Sequence, residues 1–235
     1  MTPFPLRRSI GTAEGGDIPD FSSRLRRARL GLGLALAMVT VTFAVFSVTF
    51  VFRRFFAGWL GDDGPGVDSS TAIQINHWRH IQLPIALFVL NTFILLLSSV
   101  AMEFARRQVA RRAALAPVER IPGVSLGNDR NLPWLAVAIV LGVGFVVGQT
   151  LAWRNMAAHG IYLSTMPSST FVYLATILHA IHVGAGLLAL LFAAAMPVWH
   201  ASWDARRIVV DVSGFYWHFM AVLWLYLFAL LALIN

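Results

Sequence analysis

Three histidines lie within long apolar stretches, where an ionisable side chain is costly and is therefore a candidate functional group. His179 and His182 are three residues apart, so they share one face of a helix. His218 belongs to a different stretch, and we expect it near the start of its helix, too shallow to face His182. We therefore predict neutral histidines that are hydrogen-bonded to neighbouring helices. A small haem-binding or metal-binding membrane protein that uses all three is the alternative hypothesis.

Acidic residues are almost absent from the same stretches, which limits the chemistry they can support. Glu103 stands at the end of the second stretch beside Arg106 and Arg107, and this spacing predicts an ion pair at the membrane surface rather than a proton relay. Ion-coupled transport and histidine metal centres both use buried carboxylates. We therefore predict no catalytic, cofactor-binding or metal-binding residue in this chain. The polar segment 77–80, with two histidines and one arginine, is expected to be structural.

Small residues recur at helical spacing in the third and fourth stretches. Gly144 and Gly148 form a GxxxG pattern, and Gly184 and Gly186 lie close together further along the chain. Small side chains allow membrane helices to approach closely, so these glycines predict contacts either within this chain or with another membrane protein. Trp217 is interpreted as a packing or membrane-interface residue.

Five apolar runs supply the elements that must hold these side chains, and each is long enough to cross a bilayer core of about 30 Å as a helix. Their apolarity is continuous and does not alternate, which favours helices over barrel strands. We predict an all-α membrane bundle of five transmembrane helices, forming one domain over residues 30–235 after an arginine-rich tail, 1–29. The predicted helices are residues 30–52, 83–102, 132–153, 171–196 and 215–234.

The composition agrees with a membrane protein, because 58% of the 235 residues are hydrophobic and only 12% are charged, about half the share in soluble domains. Cysteine is absent, which excludes disulfides, Fe–S clusters and thiolate metal sites. All 18 basic residues are arginine, and 14 of them fall in the N-terminal tail and the loops after the second and fourth helices. The positive-inside rule then predicts a cytoplasmic N-terminus and an outside C-terminus. No soluble domain remains to bind nucleic acid.

Polar residues and prolines near the ends of the last two runs predict their boundaries. Pro197 lies just past the expected end of the fourth helix. The candidate N-caps of the fourth and fifth helices are Ser168, Ser169, Thr170, Asp211 and Ser213.

Five motifs then follow one another along the chain. They are Asn91-Thr92, Gly148-Gln149 with Trp153-Arg154, His179-Ala-Ile-His182-Val-Gly184-Ala-Gly186, Phe215-Tyr-Trp217-His218-Phe, and Trp224-Leu-Tyr-Leu-Phe228. In this order and at this spacing they resemble subunit III of the haem–copper terminal oxidases, the cytochrome c oxidase family, in its five-helix form. The resemblance covers approximately residues 30–235.

The resemblance implies a non-catalytic subunit of a respiratory oxidase in the bacterial cytoplasmic membrane. Such a subunit carries no haem or copper, lies beside catalytic subunit I, with subunit II and smaller subunits also present, and binds phospholipid. It supports proton uptake by a complex that reduces oxygen to water and pumps protons. An accessory subunit of a quinol oxidase or a nitric oxide reductase is the alternative. The residues that become candidates for subunit or lipid contacts are His179, His182, Gly184, Gly186, Trp217, His218, Gly144, Gly148 and Glu103.

Two segments depart from the family pattern. Many members have an intramembrane Glu on the first of the five helices, where this chain reads Val39-Thr-Val-Thr-Phe43. Many also have an Asp shortly after the last Trp-His-Phe, where this chain has Met220-Ala221. A role that depends on either carboxylate is therefore not expected here.

Overall fold

The computed structural model describes residues 21–61, 84–119, 133–162, 167–198 and 202–232. Five α-helices account for nearly all of them, and no strand occurs within these ranges. Each helix overlaps one predicted apolar run and is long and apolar enough to cross a membrane, which confirms the predicted fold class. The helices are α1 (Phe21–Gly61), α2 (Ile85–Glu119), α3 (Trp134–Ala158), α4 (Pro167–Ala195) and α5 (Trp203–Ala232). The predicted polar segment 77–80 lies outside the described residues.

Three helices extend well past their apolar runs. α1 begins at Phe21, within the predicted tail, α2 continues to Glu119, and α5 begins at Trp203 rather than at Phe215. Hydropathy marks only the part of a helix that fits the hydrocarbon, whereas backbone hydrogen bonds continue through segments rich in Arg and Ala, which are strong helix formers. The end of an apolar run therefore does not mark the end of the helix, which can continue into water.

The predicted N-caps are wrong for the same reason. Asp211 and Ser213 lie inside α5, and the polar residues after Pro167 lie in the first turn of α4. Proline suits the first helical position because its missing N–H would have no intrahelical partner there. Ser169 instead donates a hydrogen bond from Oγ to the backbone carbonyl of Tyr162 at 2.8 Å. The prediction that α4 ends just before Pro197 is confirmed, since a turn follows Ala195.

Four of the helices form the core of the bundle. α2 packs against α3 and α5, and α4 completes the ring by packing against α3 and α5 as well. α1 lies outside this ring, where it packs on α5 and less extensively on α4. The alternating chain direction places the starts of α1, α3 and α5 and the ends of α2 and α4 at one end, which we call the arginine-rich end.

Glycines allow the core helices to approach closely around one large side chain. A Cβ atom at Gly142 on α3 would lie 2.8 Å from the Trp217 ring, and one at Gly186 on α4 would lie 2.9 Å from Tyr216 and 3.1 Å from Trp217. Real Cβ atoms essentially never come within 3.0 Å of another atom, so each of these two positions would be overcrowded. Only glycine therefore lets α3 and α4 close on α5 at this level.

Candidate functional site

Two buried tryptophans of α5 are hydrogen-bonded to hydroxyl groups of α2. Trp217 donates its indole N–H to Ser98 Oγ at 3.0 Å, and Trp224 donates to Thr92 Oγ1 at 2.9 Å. Ser98 in turn donates to the backbone carbonyl of Ala138 on α3 at 2.7 Å. Buried indole N–H groups need such partners, and hydrogen bonds between helices help to hold a membrane bundle together. Trp217 is thus an internal packing residue that connects three helices.

Amide side chains connect α2 to α3 in a similar way. Asn91 donates from Nδ2 to the backbone carbonyl of Phe145 at 3.1 Å and to Gln149 Oε1 at 3.4 Å. Gly148 provides the space for this contact, because a Cβ there would overlap the Asn91 amide. One glycine of the predicted GxxxG pattern is therefore used within the chain.

The connection between α3 and α4 uses an aromatic side chain from each helix. Trp153 donates to Thr176 Oγ1 at 3.0 Å, and the Tyr173 hydroxyl donates to the carbonyl of Ile161 at 2.8 Å. Together with the α2 contacts, these bonds give several buried polar groups of the core a partner on another helix.

The three intramembrane histidines have different surroundings. His182 Nδ1 is 2.7 Å from the carbonyl oxygen of Leu178, and His218 Nδ1 is 2.5 Å from Ser99 Oγ. His179 is fully buried, and neither of its ring nitrogens has a hydrogen-bond partner among the residues the structure describes. The predicted hydrogen bond to a neighbouring helix is therefore confirmed for His218, whose partner lies on α2, and wrong for His182, whose partner lies on its own helix, and for His179.

Aromatic rings surround His179 in place of polar groups. The ring centroid of Phe145 lies 5.9 Å away and that of Trp224 lies 5.1 Å away. Packing between helices thus decides the environment of this histidine, and the sequence gives no indication of which way its ring points. His179 has the environment of an aromatic packing residue.

The histidines are not gathered into a ligand set. His218 lies far from the start of α5, contrary to the prediction, because the helix begins at Trp203. Its Nε2 is 3.6 Å from Glu103 Oε2 on α2, whereas His179 faces the aromatic core. Across the described parts of the chain, no group of three or more His, Asp or Glu side chains could hold a metal ion.

A charged cluster lies at the arginine-rich end, and Arg106 is at its centre. Arg106 pairs with Glu103 at 2.8 Å and with Asp211 on α5 at 2.7 Å. Arg107 also pairs with Glu103, at 2.9 Å, so the predicted ion pair of Glu103 is confirmed. Arg29 on α1 pairs with Asp211 at 2.8 Å, which the sequence reasoning missed because it treated Asp211 as a helix cap. The cluster connects α1, α2 and α5.

An aromatic ring completes this cluster. The guanidinium carbons of Arg29 and Arg106 lie 5.1 and 4.7 Å from the centre of the Phe215 ring, within the range of a cation–π contact. Gly214 makes room for Arg106, because a Cβ there would overlap its side chain. The Gly214-Phe215 pair is therefore shaped around the arginine.

The remaining glycine candidates face less crowded surroundings. A Cβ at Gly144 would make only an ordinary contact, 3.7 Å from Ile94, and one at Gly184 would have nothing within 4 Å. Gly184 therefore has space beside it on the outer side of α4, where Ile181 and Leu188 are exposed. In contrast, Gly186 is enclosed by α5.

These features define the class of protein. The described residues form a multi-pass membrane helix bundle with five helices able to span a membrane, and buried indole and amide groups join helix to helix. The sequence profile of the family described as "Cytochrome c oxidase subunit III" matches residues 25–233. The chain belongs to the cytochrome c oxidase subunit III family.

Individual relatives agree with this assignment. "Cytochrome c oxidase subunit 3" of Corynebacterium diphtheriae is 27% identical over 209 residues, which is 89% of this chain and 93% of the relative. "Probable cytochrome c oxidase subunit 3" of Mycobacterium tuberculosis is 31% identical over 102 residues, 43% of this chain and 50% of the relative. The chain thus spans about half the length of the mycobacterial relatives it matches. "Cytochrome c oxidase subunit 3" of Paracentrotus lividus is 25% identical over 190 residues, which is 80% of this chain and 65% of the relative.

Proposed function

We propose that this chain is the non-catalytic subunit III of a respiratory haem–copper oxidase in a bacterial cytoplasmic membrane. The observation that carries the proposal is the family match over nearly the whole chain. The haem and copper belong to partner subunits, and the complex reduces oxygen to water with proton pumping. Catalytic subunit I is the main partner, with subunit II and smaller subunits as further partners. The names of the relatives favour cytochrome c oxidase over a quinol oxidase or a nitric oxide reductase.

The proposed orientation puts the arginine-rich end in the cytoplasm. The positive-inside rule supports it, because 14 of the 18 arginines belong to that side of the sequence. The ion pairs of Asp211 with Arg29 and Arg106 also support it, since they bring together segments that the rule assigns to one side.

The proposed action of the chain is to stabilise subunit I and support its proton uptake through contact and bound phospholipid, without chemistry of its own. The bonds of Trp217 and Trp224 to α2 support this view, because these buried polar groups already have partners within the chain. The outer face of α4 around Gly184 is the proposed contact with subunit I. A small residue flanked by exposed apolar side chains allows another membrane helix to approach closely.

The test is purification of the tagged full-length chain from its native membrane in mild detergent, followed by a visible spectrum and identification of the accompanying subunits. We expect an a-type haem spectrum that belongs to a large partner. An o-type haem in that partner would place the chain in a quinol oxidase instead. A chain that emerges without any haem-containing partner would refute the proposal. An untagged strain is the control for adventitious membrane proteins.

A further inference from the structure

His182 lies near the middle of α4, and only one of its two ring nitrogens is hydrogen-bonded. About 20 Å of helix separates it from each end of α4 (Pro167–Ala195). Its Nδ1 is 2.7 Å from the carbonyl oxygen of Leu178 on the same helix. Because a carbonyl oxygen only accepts hydrogen bonds, Nδ1 must carry a proton. The other nitrogen of the neutral ring, Nε2, is therefore a hydrogen-bond acceptor.

The chain supplies no donor for this acceptor among the residues that the structure describes. His182 lies at the seam between α4 and α1, where its ring centroid is 5.9 Å from that of Phe43. The Tyr216 hydroxyl donates instead to the backbone carbonyl of His182, at 2.9 Å. On α1, Thr42 donates to the carbonyl of Met38, also at 2.9 Å. The His182 side chain is only half-buried, so Nε2 remains accessible to a group outside the chain.

The surroundings of Nε2 decide what can pair with it. The acidic residues of the described helices all lie towards the arginine-rich end, so no carboxylate among them reaches the middle of α4. Bilayer hydrocarbon at this depth contains no water, and acyl chains have no hydrogen-bond donor. A lipid chain against α4 would leave Nε2 unpaired, which costs free energy in an apolar medium. A protein helix with a hydroxyl, amide or indole group can pair with it, and such bonds occur between membrane helices.

The surface beside His182 is suited to a helix from another subunit. Ile181 and Ala185 are exposed on the outer side of α4. Gly184, with open space beside it, lies about 3 Å from His182 along the helix axis, so the space and the acceptor are at the same depth of the membrane. Close approach and a polar contact are the features expected where membrane helices associate.

We propose that His182 Nε2 accepts a hydrogen bond from a hydroxyl, amide or indole side chain on a transmembrane helix of subunit I. The inference rests on the proposed function and deepens it, because it names the atom through which the outer side of α4 recognises its partner. Gly184 provides space for that helix, and the hydrogen bond to His182 fixes its position along α4.

The experiment uses the tagged full-length chain, purified in mild detergent with its native partners. His182→Leu removes the acceptor, and His182→Gln keeps a side-chain carbonyl oxygen that can accept. His159→Leu is the matched control. His159 Nδ1 lies 2.8 Å from the carbonyl oxygen of Asn155, four residues back, but at the exposed end of α3. The amount of haem-containing subunit I that remains bound is measured as the detergent concentration is raised.

We expect His182→Leu to weaken retention of subunit I about threefold relative to His159→Leu. This change corresponds to about 0.6 kcal/mol, the average for a hydrogen bond between membrane helices. His182→Gln is expected to retain more subunit I than His182→Leu. Equal retention with His182→Leu and His159→Leu would overturn the inference and leave the proposed function intact. An unaltered chain that emerges without any haem-containing partner would refute the proposed function, and the inference with it.

Photo-crosslinking identifies the occupant of this side of α4 while His182 is unaltered. The exposed Ile181 is replaced by p-benzoylphenylalanine, and the adducts formed in the native membrane are identified by mass spectrometry. We expect the main adduct to be with subunit I. Adducts only with lipid, or with a second copy of this chain, would overturn the inference, because subunit I would then be absent from the neighbourhood of His182.

Discussion

The ion pairs of Asp211 predict how α1 is held against the rest of the bundle. Among the described residues, α1 packs mainly on α5 and less extensively on α4. Within the bundle, 17% of its most apolar segment is buried, against 39% for α2 and α5. The Asp211 carboxylate accepts from Arg29 on α1 at 2.8 Å and from Arg106 on α2 at 2.7 Å. We expect Asp211→Asn to loosen α1 and to lower the free energy of unfolding.

The magnitude follows from the exposure of the two pairs. The Arg29 side chain is 47% exposed, so its pair is worth at most about 1 kcal/mol after screening by solvent. The Arg106 side chain is 21% exposed and that of Asp211 is 17% exposed, so their bond approaches the value of about 1.5–3 kcal/mol for hydrogen bonds to charged groups. Arg106 keeps its bond to Glu103 in the variant. The expected loss is therefore about 1–3 kcal/mol.

The chain itself offers a clean assay and a matched control. It contains no cysteine, so spin labels on single introduced cysteines in α1 and α5 report the distance between these helices without interference. Asp204→Asn removes the same charge from an exposed position in the first turn of α5, at an expected cost of about 0.3–1 kcal/mol. We expect a broadened distance distribution for Asp211→Asn only, with a larger loss of stability than for Asp204→Asn. Identical behaviour of the two variants would refute the idea that the ion pairs hold α1.

Three further substitutions test other parts of the structure. Gly184→Leu is expected to leave the fold intact but to weaken co-purification of the haem-containing partner more than His182→Ala does. Equal recovery of the partner with both variants would contradict the proposed contact face. His179→Phe is expected to be neutral or to raise the unfolding free energy by up to about 2 kcal/mol, because it replaces two unpaired ring nitrogens in an aromatic surrounding. A fall of more than about 2 kcal/mol in the unfolding free energy, measured by denaturant titration, would reveal a missed polar partner. Ser98→Ala is expected to cost about 1–3 kcal/mol and to shift the fluorescence of Trp217, whose buried N–H loses its acceptor; an unchanged spectrum and stability would show that the bond contributes nothing.

The sequence predicted the number of helices and the class of fold because hydropathy reports directly on the hydrocarbon that each helix must cross. It did not predict where the helices end. The segment from Trp203 to Phe215 contains charged residues, so it lacks the signal used to find membrane spans, yet it is helical. Because the predicted start of α5 was too late in the chain, Asp211 was expected to be a cap, and its ion pair with Arg29 was not predicted.

Contacts between distant parts of the chain were the second feature that the sequence did not predict. Arg29 and Asp211 are 182 residues apart, and Trp217 and Ser98 are 119 apart, and a single sequence gives no measure of such proximity. The pair of Glu103 with Arg106 was predictable because its partners are three residues apart on one helix. Spacing along one helix therefore predicted the Glu103–Arg106 ion pair, whereas the ion pairs of Asp211 depend on tertiary packing.

The glycines show why small residues alone do not identify an interface. In water, the side of a helix that packs inward is marked by apolar residues, but in a membrane both sides are apolar and the mark is lost. Gly184 and Gly186 are two residues apart, yet one faces open space and the other faces the Trp217 ring. Rotation of α4 about its axis, which the sequence does not fix, decides which glycine can meet another subunit. A stripe of small residues predicts close contact, and only the bundle shows whether that contact is already made within the chain.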